Sequence, residues 1–140
     1  MTLALHAATS VAAAPSIDGR WNTFDSNGKP RAVIEVRVDA GQVTGRIVEF
    51  HPAPGEPPDP VCEACKGEER GRKIIGLEIL RLAPAGDGAS WSGTVLDPEE
   101  GDRYKAVARL ASDGRRLELR GYVGIPLFGR TETWVRAQAP

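Results

Sequence analysis

Trp91-Ser92-Gly93-Thr94-Val95-Leu96, Tyr104 to Leu110, Leu117 to Val123 and Thr131 to Arg136 are four short runs of strand-forming residues in the last third of the chain. Asp97-Pro98-Glu99-Glu100-Gly101, Ser112-Asp113-Gly114 and Gly124-Ile125-Pro126-Leu127-Phe128-Gly129 separate them. Those Gly, Asp and Pro segments suit hairpin connections, so the four runs read as an antiparallel meander. A meander implies a barrel or an open sheet and names no activity.

Working outward, Arg31 to Asp39 alternates cleanly. Ala32, Ile34, Val36 and Val38 fall on one face, with Arg31, Glu35, Arg37 and Asp39 on the other, the pattern of a strand with one buried and one wet side. Ile17 to Asp25, ended by Ser26-Asn27-Gly28-Lys29, precedes it, and Ala40-Gly41 turns it into Gln42 to His51. Apolar parity changes between Ile47 and Val48, which predicts a bulge near Gly45 or a twist that re-aims the side chains. Five prolines between Pro52 and Pro60 then exclude a central strand or a helix, so residues 52–71 are an excursion loop. Lys73 to Leu82 resumes the sheet. Eight strands joined mostly by short turns predict an all-β, antiparallel up-and-down barrel, a number whose interior is filled by side chains or holds one small ligand.

The 140 residues suffice for one domain with its own core. Eighteen Lys and Arg against nineteen Asp and Glu leave a formal charge of −1, which removes the electrostatic footprint of a nucleic-acid binder. Residues 1–14 are apolar and small, carry no Asp, Glu, Lys or Arg, and end in Ala12-Ala13-Ala14. They read as a secretory signal lacking its positive start, hence one whose true beginning lies upstream, with the barrel at 15–140; the other reading is an Ala-rich tail. The segment is too short to span a bilayer, which takes about 20 apolar residues, and no other segment could. A periplasmic or secreted protein is the expectation.

Chemistry-bearing motifs are few. Cys62-Glu63-Ala64-Cys65 holds the only two cysteines. An oxidising compartment favours a local disulfide; a redox pair, part of a metal site and free thiols are the other readings. The redox motif usually sits at a helix N-terminus, whereas this pair lies in a Pro-rich loop. No Gly-x-Ser-x-Gly elbow and no nucleotide-binding glycine motif occurs, and His51 is the only histidine after residue 6. No catalytic residue, metal centre or cofactor is therefore expected. The aromatic and arginine set remains: Trp21, Trp91, Tyr104, Arg120, Tyr122, Arg130, Trp134 and Arg136 are candidate lumen residues for an apolar or amphipathic ligand. In the competing reading the tryptophans plug a small core and an arginine stacks on one as a lid.

Gly19-Arg20-Trp21 on the first strand and Trp134-Val135-Arg136 on the last resemble the lipocalin and fatty-acid-binding-protein group. The resemblance implies that Trp21 is covered by Arg136, with Arg130 a second candidate. Ile17-Asp18-Gly19-Arg20-Trp21, Gly45-Arg46-Ile47-Val48, Pro60-Val61-Cys62-Glu63-Ala64-Cys65, Ile75-Gly76-Leu77, Asp97-Pro98-Glu99-Glu100-Gly101 with Tyr104, and Leu119-Arg120-Gly121-Tyr122 followed by Arg130-Thr131-Glu132-Thr133-Trp134 form an ordered set. That set is similar to the bacterial secreted family called domain of unknown function 2147. It implies a periplasmic, lipocalin-like barrel and transfers no catalytic residue. The expectation is a non-enzymatic binder of a small apolar or amphipathic molecule in the cell envelope, with no protein partner specified. A structural or interaction module using the 52–71 loop and a thiol-redox protein using Cys62 and Cys65 are the alternatives.

Overall fold

In the computed structural model, which describes residues 2–6, 15–125 and 129–138, the chain forms one closed antiparallel barrel. Its strands are β1 (Gly19–Phe24), β2 (Pro30–Asp39), β3 (Gln42–Phe50), β4 (Glu78–Pro84), β5 (Ser90–Asp97), β6 (Asp102–Leu110), β7 (Arg116–Tyr122) and β8 (Gly129–Arg136), in sequential order around the wall. Seven ladders join neighbours in sequence, and β1 pairs β8 to close the sheet. The expected signal segment falls largely on residues 7–14, and part of the expected 124–129 turn on 126–128; both lie outside the described residues.

Alternation sets the two faces. Trp21, Ile34, Val36, Val43, Leu80, Leu82, Leu117, Leu119 and Trp134 are buried, whereas Arg37, Arg81, Arg109, Arg116 and Glu118 are exposed. An apolar interior and a charged exterior are the inverse of a membrane-spanning barrel. No helix among the described residues is long and apolar enough to cross a membrane.

Two strand details depart from the simple pattern. On β2 the burial of Ala32, Ile34 and Val36 follows the alternation, but Val38 at the strand end is 41 % exposed and Val33 is buried. The bulge expected near Gly45 is there twice over: register shifts at Ile34/Val33 opposite β3, leaving Val48 unmatched, and again at Gly45/Arg46 opposite β4, leaving Ile79 unmatched. Each extra residue bends its strand and raises local twist, which a small barrel needs to close. Gly45 contributes a second way, since a Cβ there would lie 2.9 Å from the Leu80 side chain.

β4 begins at Glu78 rather than at Lys73. Gly76, at φ +97°, breaks the run, and Ile74 and Leu77 are buried with the excursion loop. That loop is folded. Val61 and Lys73 form an antiparallel bridge, the Cys62 N–H donates to the Arg72 carbonyl (2.7 Å), the Gly71 N–H donates to the Cys62 carbonyl (2.9 Å), and a 3-10 turn spans Gly67–Glu69.

Candidate functional site: the two ends of the barrel

One end is sealed. Residues 15–18 lead into β1, and the Trp21 indole N–H donates to the Ile17 carbonyl (3.0 Å). The Arg136 guanidinium stacks 4.3 Å from the Trp21 ring centroid and donates to three carbonyls, those of Gly114 (2.8 Å), Asp18 (2.6 Å) and Ser16 (2.5 Å). One planar fork therefore ties the last strand, the β6–β7 turn and the N-terminal segment over an indole face, which only arginine's geometry allows. Gly19 makes room: its φ is +125°, and a Cβ would stand 2.7 Å from an Arg136 Nη. Trp21 and Trp134 are both buried on the inner face.

The other end differs. Cross-strand pairing puts Glu132 opposite buried Leu119, and Arg130 opposite Gly121, so both point along the inner face with Trp134. Trp134 is 2 % exposed, yet Glu132 and Arg130, two and four residues nearer the rim, are exposed. Val95, Tyr104, Gly121 and Thr23 on the same face are half-buried. Gly93, Ala106 and Gly121 form one row across β5, β6 and β7 and add almost no side-chain volume. At this end the inner face therefore changes from apolar and buried to polar and exposed.

The eight candidate residues separate by register. Trp21, Trp91, Tyr104, Arg130, Trp134 and Arg136 lie on the inner face, Trp91 opposite buried Ala108. Arg120 and Tyr122 alternate with buried Leu117 and Leu119 and lie on the outer face, where Arg120 bonds the Thr131 hydroxyl (2.8 Å). The Leu117/Leu119 alternation carries that signal in the sequence. Arg136 belongs to the sealed end, so Arg130 is the inner-face arginine at the rim. Glu132 was not among the candidates, although its spacing from Trp134 marks it: the Trp134 indole N–H donates to its carboxylate (3.4 Å).

The rim is cross-braced. Arg31 stacks 4.5 Å from the Phe50 ring and holds Glu56 at 2.5 and 3.1 Å, while one of its Nη groups also reaches Glu99 in the β5–β6 turn (3.1 Å). The hydrogen bond from Arg31, aided by the Ala53 N–H, pulls the Glu56 carboxyl down to about 2. Because the carboxyl is depressed below its ordinary value, this brace persists through neutral and mildly acid pH and is lost only as pH falls towards 2. The Tyr104 hydroxyl donates to Glu100 in the same turn, which pushes its ionisation up to about 12. A spectroscopic titration at 295 nm, taken as wild type minus Tyr104→Phe, is expected to isolate a phenol ionising near 12. A difference midpoint at the ordinary value of about 10 would mean that the Glu100 bond does not form in solution.

Cys62 and Cys65 form a disulfide, Cα to Cα 5.4 Å. Both are buried, at 1 % and 2 % exposure. The loop that carries them docks on the barrel lip through Lys66–Asp102 (2.7 Å) and an Arg103–Glu69 ion pair. Under it lies Leu96, which neighbours inner-face Val95 and so points outward, yet is only 3 % exposed. His51 is exposed at the strand end.

A closed eight-stranded antiparallel barrel with an arginine lid on a first-strand tryptophan is a lipocalin-like fold. The chain belongs to the bacterial family described as "Uncharacterized protein conserved in bacteria (DUF2147)", whose model matches residues 19–136. Its fold is similar to that of the Helicobacter pylori protein HP1028, a structure titled as belonging to the lipocalin family. The TM-score is 0.73 at 19 % identity, over 89 % of this chain and 84 % of that one. No curated protein sequence matches the chain.

Proposed function

We propose that this barrel is a non-enzymatic binder that seats one small apolar or amphipathic molecule at the end of its lumen opposite the Arg136 seal and works outside the cytoplasm. The observation that carries the reading is the change along β8, from buried Trp134 to exposed Glu132 and Arg130 on one inner face. An apolar body would rest on Trp134, Leu119, Ala106 and Val95, and a polar end would meet Tyr104, Glu132 and Arg130 at the rim. The mixed signs of Glu132 and Arg130 favour a head group that both donates and accepts hydrogen bonds over a simple acid. A buried disulfide supports an oxidising compartment, and its burial favours a structural bond over a thiol-exchange centre, which needs access.

The test uses Gly121, whose φ is ordinary and whose added Cβ would make only van der Waals contacts of 3.5 to 4.0 Å. A dansyl-labelled medium-chain fatty acid is expected to bind one-to-one, with energy transfer from Trp91 and Trp134. Gly121→Leu, which adds bulk to this part of the lumen without straining the backbone, is expected to weaken that binding about tenfold or more. Equal binding by the Leu variant, with its barrel intact by circular dichroism, would place the probe elsewhere and end the lumen reading.

A further inference from the structure

A second concavity lies outside the lumen. Between the docked 68–77 segment and the outer wall of β3, β4 and β6 is a cleft of about 380 Å³. That volume falls within the range of small-ligand sites, roughly 300–1,000 Å³. Five of its lining side chains are cationic and three, Glu68, Glu69 and Glu78, are carboxylates; Asp59, outside the lining, pairs with Lys73, so the cleft keeps an excess of one positive charge.

The pairing shows where the excess sits. Glu78 is shared by two guanidinia, Arg46 through Nη2 at 3.1 Å and Arg81 through Nε at 2.5 Å. One carboxylate between two cations leaves a positive charge over. Arg103 is neutralised by Glu69, and Lys73 by Asp59 at 2.9 Å. Arg72 makes no ion pair among the described residues, and Arg81 uses only Nε on Glu78, leaving its Nη donors over. Arg72 is held over the wall by its own backbone: its carbonyl accepts from Cys62, and its N–H donates to the Glu69 carbonyl (3.1 Å). The Cys62–Cys65 hairpin therefore holds the segment that carries this arginine.

The geometry points to a phosphate site here, formed by Arg46, Arg72 and Arg81 and distinct from the lumen. Guanidinium forks match a tetrahedral oxyanion's acceptor geometry. Spare donors on two separate guanidinia, Arg72 and Arg81, suit the three terminal oxygens of a phosphomonoester better than the two of a carboxylate. The same group occurs on soluble phosphomonoesters and on lipid head groups, and two probes separate these sources.

Inorganic phosphate and dihexanoyl phosphatidic acid below its micellar concentration would each be titrated into oxidised protein, following arginine Nε–H resonances by NMR at constant ionic strength. Saturable shifts at Arg46 and Arg81 are expected with at least one probe. Tighter binding of the phosphatidic acid assigns the site to a lipid head group, and equal or tighter binding of phosphate assigns it to soluble esters. The Arg72→Gln/Arg81→Gln double variant, both positions being exposed, is expected to bind about tenfold or more weakly while its lumen still takes the dansyl probe. Shifts reproduced by chloride alone, no shift with either probe, or unchanged affinity in the double variant would each overturn the assignment.

Discussion

Arg136→Ala is expected to destabilise the barrel by about 3 kcal/mol, a fall of roughly 10 °C in melting temperature for a chain of this size. The side chain covers the Trp21 ring and donates to three backbone carbonyls from two separate segments. A stacked cation contributes about 0.5–2 kcal/mol. A hydrogen bond to a charged donor contributes about 1.5–3 kcal/mol, but three bonds from one group are not additive. Alanine would also uncover the face of an indole that is otherwise fully covered. Arg136→Lys is the informative companion. It keeps the charge, but one ammonium cannot lie flat on the ring and serve three carbonyls, so about half of the loss is expected to persist. Urea unfolding of the three proteins decides the point. A lysine variant as stable as wild type would mean that charge alone, and not the planar fork, holds the sealed end.

Gly101→Ala is expected to cost about 2–4 kcal/mol and to unseat the excursion loop. Gly101 is buried at φ +77°, and a Cβ there would stand 1.9 Å from the Ala64 carbonyl oxygen. Backbone faces backbone at this contact, so no rotamer change relieves it. The residue also sits where the β5–β6 turn meets the disulfide hairpin, with the Cys62 sulfur 3.4 Å from the Pro98 carbonyl. Displacing the hairpin would expose Leu96 and free Lys66, Arg70, Arg72 and Lys73 for trypsin. Limited proteolysis, read by mass spectrometry, is expected to show cleavage between residues 66 and 73 well before the strands are cut. Resistance equal to wild type would mean that the turn, rather than the loop, gives way.

Most strands are legible in the sequence because burial on one face writes a period of two into them. Ala32, Ile34 and Val36 do so on β2, and Leu117 and Leu119 do so on β7. The eight-strand order followed from short turns, closure from the number of strands, and the Trp21 and Arg136 contact from closure together with the family resemblance. The parts that were not legible depend on contacts between distant residues. Arg31 with Glu99, Lys66 with Asp102, and Glu69 with Arg103 lie 34 to 68 residues apart. Each looks like ordinary surface charge until the loop docks. Burial of Leu96 breaks the expected alternation for the same reason, since its cover comes from that loop. Glu132 reads as a solvated strand residue because nothing local reveals that the inner face of β8 opens to water halfway along.

The short β1–β8 seam has a consequence for how the molecule is assembled. It matches only Trp21 with Arg136 and Asn22 with Val135, whereas the other seven ladders match four to eight pairs each. Those seven join strands adjacent in the chain, and their closure entropy is correspondingly small except at the 51–77 loop. The seam joins positions 115 residues apart, 136 minus 21. A chain of this topology is expected to zip up as an open curled sheet and to circularise last. The Arg136 fork would then act as a clasp, lengthening the lifetime of the closed ring more than it hastens its formation.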